Sequence, residues 1–60
     1  MNYLVALEDG TVGRIHGIEP NEMENIEVNG LRIAVQLHDE NGLPIVRTGI
    51  VAEVLEEDGD

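Results

Sequence analysis

Apolar and polar residues alternate through residues 25–55, and Asn-Gly pairs interrupt this alternation twice, at residues 29–30 and 41–42. An Asn-Gly pair between alternating apolar runs favours a two-residue hairpin loop, because a type I′ turn needs positive φ at both central residues. The pattern therefore predicts a meander of three antiparallel strands over residues 25–55.

The two turns also predict one strand register. A two-residue loop at the second Asn-Gly pair places Leu37 opposite Val46, and the apolar match continues to Ile33. A slip by one residue would move every side chain to the other face and destroy that match. The predicted inward row is Ile26, Val28, Leu31, Ile33, Val35, Leu37, Val46, Ile50, Ala52 and Val54.

The residues before the meander predict two more strands. An apolar run at 2–8 places alternate residues on opposite faces, and it leads through Glu8-Asp9-Gly10 into a second strand at 11–18. Asp-Gly favours a hairpin, although the apolar spacing leaves its register open. Gly13 and Gly17 predict a sharp bend, because glycine inside a strand often marks a bulge.

Acidic segments follow the second strand and end the chain. Residues 19–24 predict an acidic loop with room for one helical turn, and residues 56–60 predict a disordered tail. Residues 1–55 are then one domain, since a chain of this length holds one core at most.

Five short strands with glycine-marked bends favour an all-β, strongly bent antiparallel barrel. Residues 10–15 and 49–55 each consist of a glycine followed by a valine-containing strand. This layout resembles the SH3-like barrel, the fold type of KOW and Tudor modules. An OB-like barrel is the alternative.

Charge narrows the choice of partners. Thirteen acidic residues stand against three arginines, a formal net charge of −10, which would repel nucleic acids and anionic membranes. The acidity serves solubility, adaptation to a salt-rich habitat, or contact with a basic partner surface. So short a chain without cysteine gains from a partner or a second copy that completes its core.

The sequence has neither a signal-peptide pattern nor an apolar run of about 20 residues. We therefore expect a cytoplasmic protein.

The usual catalytic residue types are scarce. The chain has no Ser, Cys or Lys, and Thr11 and Thr48 have no neighbouring base. Tyr3 is the single aromatic residue, whereas the proline-rich and methyl-lysine ligands of SH3-like modules need several rings. We expect no enzymatic activity and no cofactor.

Two histidines raise the question of a metal site. His16 and His38 could combine with Asp39 or Glu40, but their spacing matches no zinc motif. We expect no bound metal, and an ordinary surface position for His38 at the end of its strand.

The predicted outer face of the meander is the leading candidate for a binding surface, because it combines arginines with small apolar residues, a composition typical of interfaces. We expect a small non-enzymatic protein-binding module, and both a basic partner and self-association stay open. The predicted interface consists of Arg32, Ala34, Gln36, Ile45, Arg47 and Val51.

The alternative is an inhibitor, carried by a phage or mobile element, that mimics nucleic acid and binds a basic nucleic-acid-binding protein. The acids would then form the contact surface. The residues of this predicted acidic surface are Glu8, Asp9, Glu19, Glu22, Glu24, Glu27, Asp39 and Glu40.

Overall fold

A computed structural model describes residues 1–58, which form four β-strands and one α-helix. The elements in chain order are β1 (Asn2–Leu7), β2 (Val12–Ile15), α1 (Pro20–Asn29), β3 (Arg32–His38) and β4 (Pro44–Asp58). The fold is therefore mostly β, with four strands rather than the predicted five.

Strand β4 is the longest element and pairs with two other strands. Its residues 44–50 pair with β3 and its residues 51–58 pair with β1. β2 pairs along its length with β1, but it meets β3 through one residue pair, Arg14 with Gln36. The result is a four-stranded antiparallel sheet that curls back on itself, with a weakly joined seam between β2 and β3.

The predicted first strand of the meander is wrong, because its residues belong to α1. Pro20 lies at the start of the helix, where its missing N–H has no intrahelical partner to lose. Met23 and Ile26, three residues apart on one helix face, are buried. Gly30 caps the helix in the left-handed conformation at φ 62°, and its N–H donates to the carbonyl of Ile26. The glycine therefore ends a helix instead of turning a hairpin.

The second predicted turn does join two strands, but through five residues rather than two. The loop spans residues 39–43 and connects His38 to Pro44, which form the last residue pair of the two strands. The carboxylate of Asp39 accepts the backbone N–H groups of Asn41 and Leu43, both at 2.9 Å. This side-chain hydrogen bonding stabilises a wider loop than the Asn-Gly pair alone would form.

The wider loop shifts the strand register by one residue. Leu37 pairs with Ile45 instead of Val46, so the predicted pairing is wrong. Consequently Val46 is 62 % exposed, while Val51 is only 8 % exposed and belongs to the core.

The core lies between the curled sheet and α1, and it confirms part of the predicted inward row. Ile33, Val35 and Leu37 face the core as predicted. Val28, on the exposed side of α1, and Leu31 and Ala52 are exposed instead. The buried residues are Tyr3, Val5, Leu7, Met23, Ile26, Val35 and Val51.

Gly13 sets the distance between β2 and β3. A Cβ atom at this position would lie 2.7 Å from the Cγ2 atom of Val35, closer than van der Waals contact allows. β2 can therefore cross Val35 only because residue 13 has no side chain.

The end of β4 differs from the predicted disordered tail. The strand continues to Asp58, whose Cα is paired with that of Asn2, so a tail from residue 56 is not confirmed. Two register irregularities in the β1–β4 pairing indicate bulges, which bend β4 around β1. Residues 59–60 of the predicted tail lie outside the described part.

The second strand is also shorter than predicted. β2 ends at Ile15, and Gly17 beyond it has a positive φ of 68°. Within residues 1–58, no helix has the length and apolar character needed to cross a membrane.

Replacing Gly30 by alanine tests the helix cap. Alanine in the left-handed conformation costs about 1–2 kcal/mol, so Gly30→Ala should lower the Tm by about 4–8 °C per kcal/mol lost. Gly30→Asn is the matched control and should lose less, because asparagine tolerates this conformation. Thermal unfolding followed by circular dichroism measures both, and an unchanged Tm for Gly30→Ala would contradict the cap.

Candidate functional site

A groove of about 190 Å³ lies along the seam where a single residue pair joins β2 and β3. We call it the seam groove. Its polar lining comes from Arg14 and His16 on one side and from Gln36 and His38 on the other. The remaining lining residues are Leu4, Val12, Gly13 and Leu37. Neither wall contributes a carboxylate, so the groove offers N–H donors and the positive charge of Arg14.

The seam groove belongs to a larger face of the sheet, whose part on β2, β3 and residues 44–50 of β4 carries no acid. Glu53 and Glu56 lie on the same face beyond β1, through their pairing with Ala6 and Leu4. Paired residues on antiparallel strands face the same side, so Arg14, Gln36 and Val46 share one face of the sheet. Thr48 belongs to this face through its pairing with Ala34, and it is exposed. We call the acid-free part the outer face; its residues are Val12, Arg14, Arg32, Ala34, Gln36, His38, Pro44, Val46, Thr48 and Ile50.

The structure divides the predicted interface. Arg32, Ala34 and Gln36 are exposed and lie together on the outer face, as expected. Val51 is buried, and Ile45 is half-buried.

The shifted register also changes which β4 residues lie beside the interface residues of β3. Arg32 pairs with Ile50, and Gln36 pairs with Val46. Arg47 is exposed, but it pairs with the buried Val35.

The predicted acidic surface falls on three separate segments. Glu8 and Asp9 lie in the β1–β2 turn, and Asp39 and Glu40 lie in the β3–β4 loop. Glu19 precedes α1, and the helix carries the other three, Glu22, Glu24 and Glu27.

Two of these carboxylates take part in local turns. Asp39 accepts backbone N–H groups of its own loop, and Asp9 accepts the backbone N–H of Thr11 at 2.9 Å. The bond from the Thr11 backbone, followed by its side chain and more weakly by the charge of Arg47, lowers the pKa of Asp9. Both carboxylates therefore help to shape the turns in which they lie.

Sequence reasoning missed Arg14 and His16 as site residues. Both are exposed and flank the half-buried Ile15, a period of two that is typical of a strand with one solvent face. The three-residue spacing of the nearby apolar residues obscured this signal.

The histidines do not join a larger set of metal-binding groups. Across residues 1–58, no three His, Cys, Asp or Glu side chains converge where they could hold a metal ion. His16 and His38 instead line opposite sides of the seam groove. Their arrangement with Arg14 suits the binding of a hydrogen-bond acceptor.

Tyr3 is buried near several acids. The residue is 4 % exposed, and its hydroxyl contacts the sulfur of Met1 at 3.8 Å. Burial raises the pKa of Tyr3, and the charges of Glu57, Glu19 and Glu27 raise it further. The raised pKa means that the folded chain favours the neutral phenol of Tyr3. The stability that Tyr3 contributes is therefore fully present below the pKa of the unfolded state, and it is lost as pH rises through the pKa of the folded state.

An alkaline titration tests this environment. Tyr3 is the only tyrosine and the chain has no tryptophan, so near-ultraviolet absorbance reports its ionisation alone. We expect ionisation above the ordinary value of about 10, together with a loss of stability over the same pH range. Tyr3→Phe should remove that loss, and ionisation at or below the ordinary value would contradict the buried site.

No family model, no curated protein and no solved structure matches this chain. Its function therefore has to be inferred from the seam groove and the surfaces around it.

Proposed function

We propose that this chain is a small, acidic, non-enzymatic protein-binding module. Its seam groove binds an extended segment of a partner protein through a side-chain or terminal carboxylate. The observation that carries the proposal is the placement of Arg14, His16, Gln36 and His38 around one groove without an acid. Thirteen acids are distributed over the chain, which makes this acid-free lining distinctive.

Arginine is the strongest element of such a site. Its planar guanidinium matches a carboxylate and can donate two parallel hydrogen bonds to it. Imidazole and amide N–H groups can donate further bonds to the same ligand or to the partner's backbone. The groove thus supports recognition of one carboxylate, while the negative charge elsewhere on the chain opposes a polyanion.

Exposed apolar residues support a protein partner rather than a small acid. Val12 is 45 % exposed in the groove, and Val46 is 62 % exposed on the same face. Arginines among exposed apolar side chains are typical of protein interfaces. The fitting ligand is therefore a segment with a carboxylate beside small apolar side chains.

We also assign the sheet to the SH3-like barrel type. The support is the strand order, in which β4 pairs with both β3 and β1. This assignment concerns the scaffold alone, because a fold of this type hosts many unrelated functions.

Selection from a random peptide library, followed by affinity measurement, tests the groove. Binders should contain Asp or Glu beside small apolar residues. Arg14→Glu should weaken their binding by about tenfold or more, since a charge-assisted hydrogen bond contributes about 1.5–3 kcal/mol. Arg47→Glu makes the same charge change at an exposed arginine outside the groove lining, and it should bind as the wild type does.

Nuclear magnetic resonance locates the bound peptide. Titration should shift the imidazole signals of His16 and His38, on opposite sides of the groove. Binders without carboxylates, unmoved histidine signals or an equal loss in Arg47→Glu would each count against this function.

A nucleic-acid-mimicking inhibitor is the second candidate. The exposed acids of α1 favour it, since the helix has no basic residue in its last turn to offset Glu22, Glu24 and Glu27. A complex with a basic groove should weaken steeply with added salt, and replacing the three acids by glutamine should abolish it. Titration calorimetry at several salt concentrations measures this, and a salt-independent affinity would exclude mimicry.

A further inference from the structure

We propose that the first half of β4 pairs with the same segment of a second copy of this chain. Two sheets would then join edge to edge around a two-fold axis. This surface is separate from the seam groove, and the proposal does not depend on the function suggested above.

The pairing pattern of the described residues leaves the first half of one edge of β4 without a strand partner. A strand has two edges, and β4 pairs through one of them with β3 over residues 44–50. Its other edge pairs with β1 over residues 51–58, and a bond from the N–H of Glu8 to the carbonyl of Ile50 extends this contact. On the β1 side of residues 44–48, no strand pairing exists among residues 1–58.

The two halves of β4 differ in how their edges are protected. Proteins usually protect strand edges with charges, bulges or proline. The second half of β4 has such protection in its two bulges and its four acids, Glu53, Glu56, Glu57 and Asp58. The first half has Pro44 at its start and one charged residue, Arg47, and its other residues are Ile45, Val46 and Thr48.

The exposed segment has the properties of a pairing strand. Three of its four residues after Pro44 are β-branched, which favours extended pairing. Val46 is 62 % exposed and the preceding Leu43 is 60 % exposed. Strand addition would cover these side chains and satisfy the outward backbone groups of the edge.

A second copy suits this edge better than an unrelated strand because the segment is self-complementary. An antiparallel pair centred on Val46 places Val46 opposite its own counterpart. It also places Arg47 opposite Ile45 of the second copy, so that the two arginines do not face each other. Residues 44–48 include no acid, and the contact therefore brings no carboxylates together.

The size of the core gives a second reason for association. Seven buried hydrophobic residues form the core of the described chain, and a domain of this size gains stability by burying more surface in an oligomer. Each copy carries a net charge of −10, which opposes association over long distances. Salt screens this repulsion, so the dimer should become tighter as salt is added.

Sedimentation equilibrium over a range of protein and salt concentrations tests the dimer. We expect a monomer–dimer equilibrium that shifts towards dimer with salt. Val46→Lys would place two ammonium groups opposite each other at the centre of the contact, and it should weaken dimerisation by about tenfold or more. Circular dichroism checks that this variant retains its fold.

Val28→Lys is the matched control. It makes the same substitution at a valine that is 75 % exposed on α1, and it should dimerise as the wild type does. Arg14→Glu, which alters the seam groove, should also leave the dimer intact. This result separates the edge contact from the proposed carboxylate site.

Several results would overturn the proposal. These are a wild-type chain that stays monomeric at every concentration and salt level, a dimer unaffected by Val46→Lys, or an equal loss in Val28→Lys. A monomer whose β4 edge binds a strand of another protein would likewise show that the edge does not pair with itself.

Discussion

The double pairing of β4 is the constraint on which the rest of the structure depends. One strand pairs with β3 in its first half and with β1 in its second, and so it links the two hairpins into one curled sheet. Bulges in the second half allow that curl. The same arrangement buries Val51 where the two halves meet, and it leaves the edge of residues 44–48 without a strand partner in the described chain.

The opposite side of the sheet depends on a close approach. Gly13 lets β2 pass over Val35, and the only residue pair between β2 and β3 lies beside it. The seam groove lies along this sparsely paired contact between the two strands. The sparsely paired seam and the unpaired edge of residues 44–48 are also the two proposed binding surfaces.

The charge is divided in a way that follows the elements. Acids occupy the turns, α1 and the second half of β4, whereas the outer-face residues of β2, β3 and the first half of β4 include none. Two of the turn carboxylates accept hydrogen bonds from backbone N–H groups, so some of the acidic residues stabilise the loops in which they lie. A net charge of −10 thus coexists with a face that carries two of the three arginines.

The strands, the helix cap and the seam groove show what the sequence by itself determined and what the tertiary structure decided. Alternation placed Ile33, Val35 and Leu37 in the core, because a strand with one buried face imposes a period of two. Positive φ at Gly30 and Gly42 also follows from local chemistry.

Local chemistry did not decide whether Gly30 ends a helix or turns a hairpin, since glycine serves both. Burial of Met23 and Ile26 against the sheet selected the helix, and the hydrogen bonds of Asp39 selected the register. Long-range pairing then brought Arg14, His16 and His38 to one groove, from strands whose contact no local pattern specifies.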